Sequence, residues 1–301
     1  MMSTLTKPRR TILAHILTAG AITLAPAVCF AQASIEFIAV ADATLYESSS
    51  IAPLANGSGE YIFIGNNSLN QTRRTLLRFD VSAIPAGSTI TSVQLQIDIN
   101  QASNSAPLPA SIHSVTRAWC EGPTIPVGAQ GGGANAQAGD ATWYAACQPT
   151  SSWTIPGGDY IATVLSSQLV VGAAKVTWPS SPDFAAVVQS WLDAPATNTG
   201  LLVRGDESTE NTARRMLARE TSGEGKRPRL IVTFARPTSC DDIDFNNNDV
   251  FPEDQDVIDF FNVLAGAECA PCNDIDFNNN GVFPEDQDVI DFFNVLAGGE
   301  C

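Results

Sequence analysis

Histidine is nearly missing from this 301-residue chain: His15 lies in an apolar N-terminal stretch, which leaves His113 alone beyond it. A Ser-His-Asp triad or a histidine-rich catalytic zinc site is therefore hard to build. His113 sits inside a strand-like run and reads as a structural residue. Lysine and arginine are wholly absent from the last 62 residues, which hold 16 of the 32 Asp and Glu. So acidic a chain has little to attract a nucleic acid. Beyond Ile12–Phe30 no apolar run is long enough to span a bilayer. A glycosidase or lyase working with carboxylates, Tyr or Arg is not excluded by these absences, but nothing in the sequence marks a carboxylate pair.

The first 33 residues have the layout of a secretory signal peptide. Lys7, Arg9 and Arg10 precede the apolar stretch, and Ala31-Gln32-Ala33 is a small-x-small cleavage site, with cleavage expected after Ala33. The mature protein is then secreted, extracellular or at the cell surface, with no transmembrane segment. Removing Cys29 with the leader leaves six cysteines, an even set in an oxidising compartment. Cys120 and Cys147 pair within the first domain. The other four border two repeats, and identical units most simply close on themselves, as Cys240–Cys269 and Cys272–Cys301. Cys269–Cys272 with Cys240–Cys301, or a crossed pairing, are the alternatives.

Those repeats are one acidic sentence written twice. Residues 240–269 and 272–301 differ at three of 30 positions: Asp241/Asn273, Asp249/Gly281 and Ala267/Gly299. Each holds an Asp-x-Asn-x-Asn run, further carboxylates and an apolar segment. Calcium takes six to eight oxygen ligands in a tight loop, and alternate side chains of such a run can face one centre. Asp276, Asn278 and Asn280 supply positions 1, 3 and 5, and the Val282 carbonyl supplies position 7. Gly281 falls at position 6, where the chain turns sharply. Asp288 closes the cage one residue later than in the usual 12-residue loop. Asp244, Asn246, Asn248, Val250 and Asp256 repeat the set, with Asp249 at position 6, a residue that tolerates the left-handed conformation. Two calcium sites follow. An acidic solvated linker is the bland alternative, but Val289, Phe292, Phe293 and Leu296 mark one buried helix face, with Pro284 at its start and Gly298 at its stop.

The stretch DIDFNNNGVFPEDQDVIDFFNVLAGGEC resembles a dockerin module, specifically the Cys-bounded dockerin-like repeats that end secreted planctomycete proteins. The resemblance covers residues 240–301. It implies a small α-helical tandem calcium-loop module that docks the protein onto a cohesin-like or cell-surface partner. Loop length and flanking cysteines depart from the cellulosomal pattern, so docking or anchoring carries over more safely than cohesin itself.

Residues 34–236 read as one mainly β domain, joined to the tail by a linker at 237–239. Ile35–Val40, Tyr61–Ile64, Thr75–Phe79, Ile90–Ile99, Ser111–Thr116, Lys175–Trp178, Leu201–Arg204, Arg215–Ala218 and Leu230–Phe234 have strand character. A helix is expected over Asp183–Asp193. The fold expected is an antiparallel, jelly-roll-like β-sandwich. Ala41-Asp42-Ala43-Thr44-Leu45, Arg73-Arg74-Thr75-Leu76-Leu77-Arg78-Phe79-Asp80, Gly200-Leu201-Leu202-Val203-Arg204 and Arg227-Pro228-Arg229-Leu230-Ile231-Val232 appear in the order of a DNRLRE domain. The chain resembles that family of secreted β-sandwiches, which includes carbohydrate-binding modules. The resemblance implies a non-catalytic domain, some members of which bind polysaccharides.

A glycan site is sought among aromatic and cationic residues. Trp143, Tyr144 and Trp153 lie in a Gly-rich excursion and offer faces for sugar stacking, or else pin that excursion to the domain. Arg74 and Arg78 on one strand face, and Arg73 on the other, suit carboxylated sugars, or else salt-bridge to neighbouring strands. The expected function is a secreted, non-catalytic polysaccharide-binding or surface-display protein. The rival readings are a structural adhesin or envelope protein without glycan binding, and a polysaccharide-degrading enzyme.

Overall fold

The computed structural model describes residues 32–235 and 240–299. The expected signal peptide therefore lies outside the described residues as far as Ala31, and so does the expected linker. Gln32 and Ala33, placed in the leader by the sequence, instead open the first strand, paired with Ala235 and Phe234.

The protein is mainly β. The strands are β1 (Gln32–Ile38), β2 (Ala41–Tyr46), β3 (Leu54–Ala55), β4 (Tyr61–Asn66), β5 (Thr72–Arg78), β6 (Thr89–Ala102), β7 (Leu108–Ser114) and β8 (Ala134–Asn135). They continue as β9 (Ala145–Cys147), β10 (Ser151–Ser152), β11 (Ser166–Val170), β12 (Ala174–Trp178), β13 (Leu201–Arg204), β14 (Arg214–Leu217) and β15 (Arg229–Ala235). All the pairings are antiparallel. Thirteen strands join one sheet in the order β1-β15-β6-β14-β4-β5-β13-β7-β11, with β12 on β6, β2 on β5, and β3 and β8 beyond β2.

Strand β6 shows why the sequence folds this way. Val93, Leu95, Ile97 and Ile99 are buried, while Gln94, Gln96 and Asp98 between them are only partly so. That period of two puts one face into the main core, where Phe79, Trp178, Phe184, Trp191 and Phe234 also lie. Trp178 Nε1 donates to the Ala110 carbonyl at 2.9 Å, so its polar edge is satisfied inside. Helix α1 (Pro182–Asp193) packs on β6; Ser181 caps it by accepting from the Phe184 N–H, and Phe184, Val188 and Trp191 form its buried face.

The tail has its own apolar cluster around two helices, α2 (Asp254–Leu264) and α3 (Asp286–Leu296). Phe245, Phe260, Phe277 and Phe292 are all fully buried there. Phe260 and Phe292 stack at 4.1 Å between centroids, and Phe245 and Phe277 close edge-on against the helix of their own repeat at 5.3 and 5.2 Å. The backbone repeats this exchange: Asp241 N–H donates to the Phe277 carbonyl, and Asn273 N–H to the Phe245 carbonyl. The two copies thus clasp each other about an approximate twofold relation. Phe293 departs from the expected buried face; it is 41% exposed beside Phe261, because the stripe facing the partner helix is one residue narrower than the periodicity suggests.

Cys120–Cys147 is bonded as expected. The tail pairing differs. Cys269 is joined to Cys272, not to Cys240, and Cys272 is thereby unavailable to Cys301, which lies outside the described residues. The two cysteines are only three residues apart. The end of the first copy meets the start of the second in a turn, with Cys272 N–H on the Cys269 carbonyl and the Cα atoms 5.4 Å apart. Cys240 is disulfide-bonded as well.

Candidate functional site

In each tail loop the side chains at positions 1 and 3 (Asp244 and Asn246, Asp276 and Asn278) are buried, Asn280 at position 5 is partly buried and Asn248 exposed, while the phenylalanine at position 2 lies in the apolar cluster. Asp276 anchors the second loop: its Oδ1 accepts from the Asn280 N–H at 2.9 Å and its Oδ2 from the Gly281 N–H at 2.6 Å. Asp244 does the same for Asn248 and Asp249, at 3.0 and 2.7 Å. Asn248 Oδ1 and Asn280 Oδ1 each accept from the N–H of Val250 and Val282. Position 6 is left-handed in both copies, φ +65° at Asp249 and +77° at Gly281, as the turn requires.

The helix starts bring in the late carboxylates. Glu253 and Glu285 cap α2 and α3 in capping boxes with Asp256 and Asp288, both fully buried. The sequence reading missed two further acids, Asp259 and Asp291. They accept from the side-chain amides of Asn246 and Asn278 at 3.2 and 2.9 Å. The clue was available: Asp-x-x-Asp on a helix puts both carboxylates on one face. Proline falls one residue before the cap instead of in the first turn, while Gly266 and Gly298 end the helices at φ +91° and +80°.

Two atoms of these loops are conspicuous. Asn246 Oδ1 and Asp288 Oδ1 are buried and make no hydrogen bond among the described residues. Leaving such an oxygen unpaired costs about 1–3 kcal/mol. Burial also raises the Asp288 pKa, and the nearby Asp276 and Glu285 charges add to the effect, partly offset by the N–H groups of Glu285 and Asn278. Among the described residues no three His, Cys, Asp or Glu side chains gather as a metal-holding group. The expected ligand set is of another kind: in each copy two carboxylates, two amide oxygens and a backbone carbonyl. All are hard oxygens, and the unpaired pair belongs to that set, so the donors suit a hard divalent cation.

The residues expected to meet a glycan are placed differently. Trp143 and Trp153 are buried in a second apolar cluster with Leu45, Leu76, Trp119 and Leu202, and Trp153 Nε1 donates to the Thr142 carbonyl. They pin the excursion and present no open face. Tyr144 is half exposed. Arg74 is consumed by a bidentate pair with Glu207, at 2.8 and 2.9 Å, and lies over Trp143. Arg204 binds the same Glu207; burial alone would raise that carboxyl, but the two guanidinium groups hold it below its ordinary value. Arg78 lies over the Trp119 ring. Alternation placed these arginines on the right face, but it could not show that Glu207 waits there.

His113 is buried. Its Nδ1 lies 3.1 Å from the Ile161 and Thr163 carbonyls, and its Nε2 lies 2.9 Å from Ser111 Oγ. Burial lowers its pKa. It ties β7 to the following loop, as a structural residue does. The densest carboxylate group of the β region, Asp42, Glu121 and Glu220 around Arg219, was not foreseen. Asp42 is 1% exposed, and burial raises its pKa well above the ordinary range, with the Glu220 and Glu121 charges adding to this. Its carboxylate accepts from the Arg219 backbone N–H, which ties strand β2 to the turn after β14.

The excursion has one strong electrostatic clamp. Asp159 accepts from the Thr154 and Ile155 N–H groups and from Arg117 Nε. Burial alone would raise its pKa, but the Arg117, Thr154 and Ile155 hydrogen bonds outweigh it and bring the carboxyl to about 2. A folded pKa below the unfolded value, about 3.9, gives stability that is present above the unfolded pKa and lost as pH falls through the folded one. We therefore expect acid unfolding, read by tryptophan fluorescence, to include a stability loss between about pH 4 and 2. Asp159→Asn should be less stable at neutral pH and lose less over that window. Equal slopes for the two proteins would contradict the assignment. Asp42 and Glu220, raised by burial, act with the opposite sign, losing stability as pH rises.

No protein-family model matches this chain, and the comparison with curated proteins finds no match. Among the described residues no helix is long and apolar enough to cross a membrane.

Proposed function

We propose that the protein is secreted, holds a polysaccharide on its β region without cleaving it, and docks at a surface through a calcium-binding tail. In this reading the β region is a jelly-roll-like sandwich of DNRLRE type, and residues 240–301 are a dockerin-like module. Calcium bound in the loops would neutralise paired carboxylates and occupy the oxygens of the Asp-x-Asn-x-Asn runs. Asp244, Asn246, Asn248, the Val250 carbonyl and Asp256 would hold one ion, and Asp276, Asn278, Asn280, the Val282 carbonyl and Asp288 the other. The observation that carries the tail's role is the pair of buried, unbonded ligand oxygens, Asn246 Oδ1 and Asp288 Oδ1, in loops already turned at position 6. The paired cysteines support an oxidising compartment.

The experiment separates the two halves. The mature protein is passed over immobilised polysaccharides and over envelope preparations, with calcium or with EGTA. Retention on polysaccharide should persist in EGTA, while envelope association should be lost. Release of reducing ends or of an unsaturated product would reject the non-catalytic reading. Burial of Trp143 and Trp153 favours a second reading, a structural adhesin that displays its β region and binds no glycan. Envelope association without retention on any polysaccharide would select it.

A further inference from the structure

Of the twelve cationic side chains between residues 32 and 235, six are matched to a carboxylate: Arg74, Arg117, Lys175, Arg204, Arg219 and Arg229. Two of the unmatched ones, Arg73 and Arg215, line the same cavity of about 290 Å³, whose walls contain no Asp or Glu.

Strand register builds it. Arg215 on β14 lies directly between Phe63 on β4 and Gln101 on β6, and Arg73 on β5 lies opposite Gly65 on β4. A register shift between Arg215 and Met216 interrupts the alternation of β6, so that Gln101 is exposed where the pattern would bury it. Gly65 has φ +87°, and a Cβ there would meet the Thr212 carbonyl.

Both guanidinium groups are held in place. Arg215 lies 4.2 Å over the Tyr61 ring, and its Nε donates to Asn100 Oδ1 at 2.9 Å. Its two terminal nitrogens make no hydrogen bond among the described residues. Arg73 is 3% exposed and lies 4.9 Å over the Tyr46 ring. Its Nη1 donates to the carbonyls of Glu47, Gln71 and Thr72, and its Nε to that of Gly131 at 3.4 Å, which leaves Nη2 without a partner. Burial lowers the Arg73 pKa, and Tyr46 and the Glu47 charge offset this only in part. A buried cation without a full counter-charge is expensive unless an anion reaches it. Gln101, Asn67, Ser68 and Asn211 line the remaining wall and can donate or accept hydrogen bonds.

From this geometry we infer that the Arg73–Arg215 cavity binds an oxyanion, the carboxylate or sulfate group of an acidic polysaccharide. The inference rests on the polysaccharide reading above and names its substrate class. The two free terminal nitrogens of Arg215 form a planar fork that matches a carboxylate or sulfate in a bidentate way, and the free Nη2 of Arg73 adds a further charged donor to the same cavity, which favours an anionic sugar over a neutral one.

The test is affinity electrophoresis of the mature protein through gels containing hyaluronan, dextran sulfate or neutral dextran, with melting temperatures as the check on folding. Retardation by hyaluronan or by dextran sulfate is expected, and which of them acts tells carboxylate from sulfate. Dextran should not retard the protein. Arg215→Ala should weaken retardation by about tenfold or more, the loss of a charge-assisted contact. Gln101→Glu, at an exposed position, should weaken it too by placing a carboxylate beside Arg215. Lys175→Ala removes the same charge elsewhere and should change little. The inference is overturned if folded Arg215→Ala or Gln101→Glu protein is retarded like the wild type, or if Lys175→Ala is as weak as Arg215→Ala. Retardation by dextran alone would overturn it while leaving the polysaccharide reading intact. No retardation by any polymer would overturn both.

Discussion

Chelating calcium is expected to melt the tail of the intact protein and leave its β region folded. The tail carries sixteen acidic side chains and no lysine or arginine. Its apolar cluster has five buried members, Ile243 and four phenylalanines. A unit of about 60 residues with so small a core is marginal even without self-repulsion. Each occupied site would add about 2.7 kcal/mol at roughly a hundredfold excess of calcium over Kd. Two sites would then supply much of the stability that a small domain has, which is about 5–15 kcal/mol. Hydrogen exchange reads the result by segment. Amides of residues 254–264 and 286–296 should be protected in calcium and exchange rapidly in EGTA, while those of β6 and β15 should not change. Equal protection of both helices with and without calcium would contradict the account.

Phe292→Ala should have nearly as large an effect. Phe292 is fully buried, stacks on Phe260 and meets Phe245 and Phe277 edge-on, so it touches both repeats. Truncating a buried phenylalanine costs about 3–5 kcal/mol. In a unit this small, that should open the loop of the first repeat as well as the second. Both helices should lose exchange protection even with calcium present. Phe293→Ala, one residue on and partly exposed, serves as the comparison and should cost far less. Loss of protection in α3 alone would show that the two repeats are independent, against the clasped arrangement.

These contacts show where the sequence was informative. All nine segments read as strands are present, and so is the helix near Asp183; in β6 and β15 burial on one face leaves a period that needs no knowledge of the partner. β2 escaped that reading: its six residues are all buried, including Asp42 and Thr44, so no alternation remains. The left-handed turn at Asp249 and Gly281 was legible, since local spacing dictates it. What needed three dimensions was the other side of each contact. Nothing local says that Glu207 lies across from Arg74, or that Trp143 and Trp153 turn inward. The tail disulfide failed for a different reason: identity between repeats suggested self-closure, whereas Cys269 and Cys272, three residues apart, meet in the short turn that joins the copies. Arg73, on the strand face opposite Arg74, shares its cavity with Arg215 and no carboxylate, and only the neighbouring strands could reveal that.

Isothermal calorimetry of the mature protein, titrated with calcium to about 10 mM, tests the central claim most directly. Two ions per chain should bind in the wild type, and Asp276→Ala should lose at least the site of the second repeat. No heat of binding over that range, or unchanged binding after both Asp244 and Asp276 are replaced by Ala, would contradict it.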